Sequence, residues 1–444
     1  MSLPEQPPVG QADDLASAID LLSRLLDPEL LNQWQPTRSN AVYSTSVVVW
    51  LLVYQRLHSK ASLEAAVAEL LSQVSTISTN KRVRDKTLSA NNGSYSRART
   101  RLQLSVAEQS ADHVFTTLAA SHPVTSDRRT FLCDGTTLPL ASSDALRQHW
   151  PPAPNQHGDG TWPIAHLVVA CELDSGLMVR PEVGAMYGAN ADSELALALR
   201  LLPRLPPRSI LMADRNFGVF GFAYHAVQAG HDVLTRLTAP RFDALVKSAQ
   251  PLGPGRWKFV WKPTKDNRRT HPDLPADAAM TAYLYEFTGR NEQTMWVVST
   301  LDGSCADVAD RYFRRWEIET DIRSWKITLG CDALRSLTVD MVLKEIAMAA
   351  LAYNLVIEVR RLAAQQAKVP PKRISFAGVW TLVVHLLLRQ SNRTAEEWKR
   401  DFEWALRGAA QRKLPKRPDR HFPRQVLPRG RKYPNRPPKA PDKK

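Results

Sequence analysis

Residues 129–140 read RTFLCDGTTLPL, a short apolar run that ends on an aspartate and a glycine. A brief apolar stretch bounded by turn-forming residues reads as a strand, which puts Asp134 at a strand end. Outward from it, a polar, Pro-rich excursion at residues 141–161 precedes PIAHLVVACEL, and the turn DSGL leads into MVRPEVG, a hairpin with the strand before it. ADSELALALRLL has helical spacing and an Asp-Ser start. PPRSILMADRNFG is the next strand and ends in Asp214; GVFGFAYHAVQAG then reads as a helix and HDVLTRL as a strand.

Strand, hairpin, helix, strand, helix, strand is an α/β order, a mixed sheet flanked by helices. The RNase H-like fold is the natural candidate, since its first and fourth strands lie side by side. That adjacency would join Asp134 and Asp214 despite the 79 residues between them. Residues 238–300, with RWKFVWKP, KDNRRTHPD, TAYLYEF and MWVVST, read as a β-rich insertion. A long helical region is expected from Ala306 to Gln390, turning near Val369–Lys372.

Within it, residues 312–326 read YFRRWEIETDIRSWK. At roughly 100° per residue, Tyr312, Arg315, Glu319 and Lys326 fall within about 60° of one another, and Arg323 shares their face. Glu317 and Asp321 point to roughly the opposite side, so the wheel singles out Glu319. A solvated face is the ordinary reading of a charged helix. The spacing, with two, three and six residues between the four, is what sets this one apart.

That spacing, with Asp134-Gly135-Thr136 and Asp214-Arg215-Asn216-Phe217, resembles the bacterial insertion-sequence DDE transposases of the group headed by insertion sequence four, with their Y-(2)-R-(3)-E-(6)-K helix. The likeness runs from about residue 129 through AYNLV to about 360. It implies that Asp134, Asp214 and Glu319 are catalytic and hold two Mg²⁺ ions, with Mn²⁺ as a substitute. It also implies that Tyr312, Arg315 and Lys326 contact DNA near the cleaved end, with Arg323 joining them. Some relatives open the second strand through a hairpin and stack a flipped base on a tryptophan. Trp296 matches that position best, with Trp257 and Trp261 as rivals, and a tryptophan simply buried in a strand is the plain alternative.

The chain has 444 residues, 43% of them hydrophobic, with a net charge of +15. A pI near 9.8 points to a polyanionic partner. Residues 412–444 carry 13 Lys and Arg against two Asp, with eight prolines, so the tail at 405–444 is expected to be a disordered basic arm touching DNA phosphates. The helical residues 1–125, basic between Lys81 and Arg101, suit DNA binding or dimerisation. The catalytic domain is expected over 126–400.

Other patterns exclude functions. The four cysteines form no C-x-x-C pair, which argues against a disulfide scaffold or zinc ribbon; Cys133 and Cys171 read as core thiols. His149, His157 and His166, with Asp159, match no regular metal spacing, and Lys344, Glu345 and Glu358 read as solvated charges of an amphipathic helix. Nothing resembles a signal peptide, and the longest apolar run, Val47–Tyr54, cannot span a bilayer, so a cytoplasmic, nucleoid-associated location is expected. The leading reading is a DDE transposase acting on double-stranded DNA as a homodimer or larger synaptic complex. A catalytically silent DNA-binding relative and an RNase H-like nuclease of other substrate are the alternatives.

Overall fold

The strand that begins at Thr130 does not stop at the Asp-Gly pair. It runs Thr130–Pro139 (β1), because a long partner strand pairs with it from Phe131 to Pro139. Asp134 is thus mid-strand, which corrects its expected place at a strand end. The computed structural model describes residues 22, 24–58, 61–72, 80–85, 87–122, 128–156, 158–289, 292–388 and 394–415. The N-terminal segment, His157 and the basic tail from residue 416 lie outside the described residues.

The remaining strands are β2 (Pro152–Asn155), β3 (Gly158–Glu172), β4 (Met178–Ala185), β5 (Ile210–Ala213), β6 (Asp232–Arg236), β7 (Gln250–Gly253), β8 (Arg256–Trp261), β9 (Met280–Thr288) and β10 (Thr294–Ser299). All ten form one sheet in the order β2-β3-β1-β5-β6-β10-β9-β8-β7, with β4 also on β3. β1 is antiparallel to β3 and parallel to β5, and β5 is parallel to β6. The hairpin expected from DSGL is β3–β4. Between strands, the helices Glu194–Leu201 and Phe220–Gln228 pack on the sheet and on each other. Residues 238–300 are β-rich, but β7 to β10 continue the main sheet through the antiparallel β6–β10 pair. Two short helices, Ala239–Val246 and Lys265–Thr270, interrupt them.

The helical region expected from 306 to 390 turns after Ala367, as expected, but it is also broken earlier. Helix Cys305–Phe313 passes into a 3₁₀ turn, Arg314–Trp316, then helix Glu317–Arg323 and a π turn, Ser324–Thr328. Gly330, at φ 72°, then ends the helix in a backbone conformation costly to other residues. Regular helix resumes at Val339–Ala367, where the Thr338 hydroxyl accepts the Met341 N–H.

Helix Val339–Ala367 is buried on all sides along most of its length and packs against helices Thr45–Leu57, Leu104–Ser121, Phe376–Leu388 and Ala395–Gln411 and against β4. Lys344, Glu345 and Glu358 are therefore buried, at 1%, 4% and 0% exposure, which overturns their reading as solvated charges. Each is paired instead. Lys344 meets Asp340 and donates to the carbonyls of Arg99 and Thr100; Glu345 meets Arg99; Glu358 meets Arg361 and His122. A helical wheel finds only the stripe that faces one neighbour, and this helix has neighbours all round. Asn354, from the AYNLV run, accepts the Met178 N–H and donates to the Met178 carbonyl, both at 2.8 Å, and so completes the backbone pairing at the start of β4. No described helix is long and apolar enough to cross a membrane.

Burial pushes the Glu358 carboxyl up, but hydrogen bonds from Arg361 and His122 override it and hold the pKa at about 2, against 4.5 ordinarily. A carboxyl depressed on folding contributes stability above its unfolded pKa and loses it as pH falls toward the folded one. Glu358→Gln is accordingly expected to lower stability by about 3 kcal/mol at neutral pH. It should also flatten the stability–pH curve between about 4.5 and 2, as followed by denaturant unfolding across that range. A parallel displacement at every pH would rule this out.

Candidate active site

The register between β1 and β5 sets Thr130 against Ile210 and Leu132 against Met212, an offset of 80 residues. Asp134 and Asp214 are the same 80 apart, so continuing the pairing brings the two aspartates side by side. β5 ends at Ala213, and the Asp214 carboxylate accepts the Asn216 N–H at 2.8 Å to start a turn. Arg241 donates to the carbonyls of Arg215 and Gly218 and holds that turn in place. Asp134 accepts the Gly135 N–H at 3.0 Å.

A third carboxylate enters here that the sequence reading missed. Glu194, the first residue of helix Glu194–Leu201, lies against Gly135, where any Cβ would overlap its carboxylate. Asn216 donates to its Oε2 at 3.3 Å, which ties it to the Asp214 turn. The signal was present: Asp-Ser-Glu opens the helix after the hairpin, and the Gly beside Asp134 leaves room for a neighbour. Neither marks an active site until the sheet is assembled.

The electrostatics follow from this crowding. Burial pushes the Asp134 carboxyl up to about 6; Arg315 opposes the rise, and Glu194 and Asp214 add to it. Burial likewise raises Glu194, with the Asn216 hydrogen bond opposing and Asp214 reinforcing. Crowded oxygens with too little positive charge are what a hard divalent cation matches.

The signature residues divide. Tyr312 is buried, and its hydroxyl donates to the Ala213 carbonyl at 3.3 Å. Burial raises its pKa, with Arg315 and Arg236 opposing and Asp214 and Asp134 contributing. Arg236, at the end of β6, was not anticipated. Arg315 is 8% exposed, acts on Asp134, and reaches Glu319 at 4.0 Å. Its guanidinium lies over the Trp316 ring at 4.6 Å. Helix Glu317–Arg323 packs on β1 and β3, but Glu319 itself is exposed, and Arg315 is its ion-pair partner.

The even wheel drawn through Tyr312–Lys326 does not hold, because a 3₁₀ turn overwinds the chain and a π turn underwinds it. Lys326 nevertheless faces β1, donating to the Thr136 hydroxyl at 3.1 Å and the Thr137 carbonyl at 2.6 Å. Burial lowers its pKa. Arg323 is exposed. Of the acids the wheel set aside, Asp321 is buried against Lys372 at 2.8 Å, and Glu317 meets Arg314 and Lys372.

Trp296 is half-buried on β10, with its ring 5.8 Å from Phe242 and its indole N–H donated to Glu286 at 2.7 Å. Its carbonyl accepts the Leu237 N–H, one residue beyond β6, so it stands near the level of the turn that Asp214 starts after β5. Among the histidines set aside, His166 lies in β3 with Nδ1 3.0 Å from the Asp192 carbonyl. Cys133 and Cys171 are buried free thiols, as expected.

A family profile described as "Transposase DDE domain" matches residues 125–355. The chain is 25% identical over 467 aligned positions to "Transposase InsG for insertion sequence element IS4" of Escherichia coli (strain K12), covering 97% of this chain and 99% of that one. A solved structure described as a cryo-EM structure of a piggyBac transposase synaptic complex with hairpin DNA aligns over 93% of this chain and 88% of its own, at 10% identity and a TM-score of 0.44.

Proposed function

The chain belongs to the DDE transposase family, and from that premise we propose that it moves an insertion sequence by binding its terminal inverted repeats, cutting the ends and joining them to target DNA. The observation that carries this is the union of Asp134 and Asp214 across β1 and β5, with Tyr312 and Arg315 in the same electrostatic cluster. The strand order β4-β3-β1-β5-β6, antiparallel across its first two pairs and parallel across the rest, supports an RNase H-like core.

In cleavage, a water oxygen bonds to the phosphorus at the element's end and the P–O3′ bond breaks, leaving a 3′-hydroxyl. In joining, that 3′-oxygen attacks a target phosphorus and displaces the target's own 3′-oxygen. Asp134, Asp214 and Glu319 are the residues to hold two Mg²⁺ ions, with Glu194 beside them; all offer oxygen donors, which suits Mg²⁺ or Mn²⁺. When bound, the ions supply an activated oxygen nucleophile and neutralise charge on the leaving oxygen. Arg315 holds positive charge beside Asp134 and Glu319. Tyr312, seated on the Ala213 carbonyl, packs the helix onto the Asp214 turn.

Arg323 is available to a DNA end, and Lys326 and Arg315 reach it by exchanging their present partners for phosphate. The helices Lys81–Arg84 and Gly93–Arg101 expose Lys81, Arg82, Arg97 and Arg101 as a basic surface for duplex backbone. The basic tail adds phosphate contacts, and two ends held together call for a dimer or larger complex. Trp296 stacks a flipped base only by leaving Phe242 and Glu286, so the hairpin route carries that cost.

The deciding assay incubates the protein with end-containing DNA, target DNA and Mg²⁺. Expected products are 3′-hydroxyl ends and joined strands. Cutting without joining, indifferent to the repeats, would make it a nuclease. Binding without cutting under any divalent ion would make it a silent relative.

A further inference from the structure

We propose that His225, His271 and Asp273 form a zinc site, sharing no residue with the carboxylate cluster, that clamps the loop after Thr270 to the helix Phe220–Gln228. The nitrogen and oxygen ligand atoms of the three side chains all lie within 4.8 Å of one another. His225 comes from the helix. His271 and Asp273 come from one tight turn, closed by the Leu274 N–H on the His271 carbonyl at 3.2 Å.

Two observations separate this from a chance meeting of polar side chains. First, His225 Nε2 is enclosed and stands 3.3 Å from Asp273 Oδ2, yet makes no hydrogen bond to it or to any described residue. Buried polar atoms are normally satisfied, so an unpaired one needs a partner. Two ligands of a tetrahedral zinc ion, with bonds of about 2.0–2.2 Å, stand roughly 3.3 Å apart and point at the ion rather than at each other. Second, Gly221 lies one turn before His225 on the same helical face, and any Cβ there would overlap the His271 ring. The glycine leaves a seat for the second imidazole, whose ring centre is 5.5 Å from that of His225.

Two imidazoles and one carboxylate suit Zn²⁺, with water in the fourth place. The turn closes on itself through Arg268, which donates to the carbonyls of Pro275 and Ala276. Zinc would fasten this closed turn to the helix that follows the Asp214 loop.

The test uses the full-length chain, stripped by chelator and titrated with Zn²⁺ alone. One equivalent is expected to bind to the wild type and to an Asp134→Ala/Asp214→Ala double variant, and to be lost in His225→Ala and His271→Ala. Asp273→Asn, at a side chain 63% exposed, should keep the fold and weaken zinc by at least about tenfold. Zinc should also protect residues 262–279 from protease in the wild type and not in the histidine variants. If the wild type binds no zinc, or if Asp273→Asn and the histidine variants bind it with unchanged stoichiometry and affinity, the site does not exist. Should the histidine variants misfold, Asp273→Asn decides. None of these outcomes touches the cleavage assay above.

Discussion

Asp134→Ala and Asp214→Ala, made separately, are each expected to lower end cleavage by roughly 10³-fold, about 4 kcal/mol of transition-state stabilisation, while leaving end binding within about twofold. The aspartates sit where β1 and the end of β5 align, and a carboxylate adds nothing to the attraction between protein and DNA phosphates. Removing one should therefore spare affinity and remove chemistry. Binding is read by gel shift in Ca²⁺ and cleavage in Mg²⁺ on the same labelled end. Glu319→Ala is expected to match them, although this carboxylate is exposed and linked to Asp134 through Arg315. Glu194→Gln tests the carboxylate that packs at Gly135. It should weaken Mn²⁺ binding by about tenfold, with cleavage recovering as Mn²⁺ is raised. Should Glu319→Ala keep full cleavage while Glu194→Gln loses it at every metal concentration, the third ligand is Glu194 and the assignment of Glu319 fails.

The largest loss of stability is expected from Asp321→Ala. Asp321 is 4% exposed, meets Lys372 at 2.8 Å and lies 3.5 Å from the Tyr353 hydroxyl. Truncation leaves the Lys372 ammonium facing Glu317 alone, at 3.2 Å, inside the protein. Breaking a buried pair on one side costs about 3–5 kcal/mol, because the surviving charge keeps its desolvation penalty. Replacing both partners, Asp321→Ala with Lys372→Met, should recover at least about half of that loss. Denaturant midpoints of the three variants check both numbers. A single-variant loss below about 1 kcal/mol would mean the pair is solvated in solution.

Asp321 also shows where a local reading stops. The wheel correctly turned it away from Glu319, but the far side of that helix faces Lys372, not water. Lys344, Glu345 and Glu358, read as solvated charges, are internal as well. Their helix has neighbours on every side, so its charges are internal pairs and no outer stripe exists to be seen. Glu194 was missed for a related reason: an acid at a helix start is an ordinary capping feature until a strand from elsewhere arrives beside it.

Short-range physics made several things readable from the chain alone. Alternation and turn residues set out the main strands and helices from Arg129 to Arg236, but the stretch read as a Pro-rich excursion holds helix Asp144–His149 and β2. Residue types and their spacing in Asp134-Gly135-Thr136, Asp214-Arg215 and Tyr312-Arg315-Glu319-Lys326 indicated the family, to which the chain belongs. Helix starts at Ser193 and the apolar burial of Cys133 and Cys171 needed only neighbours in sequence. Long-range packing decided the rest. The 80-residue offset of β5 against β1 is what aligns Asp134 with Asp214. The joining of β10 to β6 made residues 238–300 part of one sheet. The placing of Glu194 at Gly135 and the meeting of His225 with His271 arise from contacts between distant segments. A residue's own neighbours report its backbone preference; only the assembled fold sets its dielectric surroundings and the charges it must face.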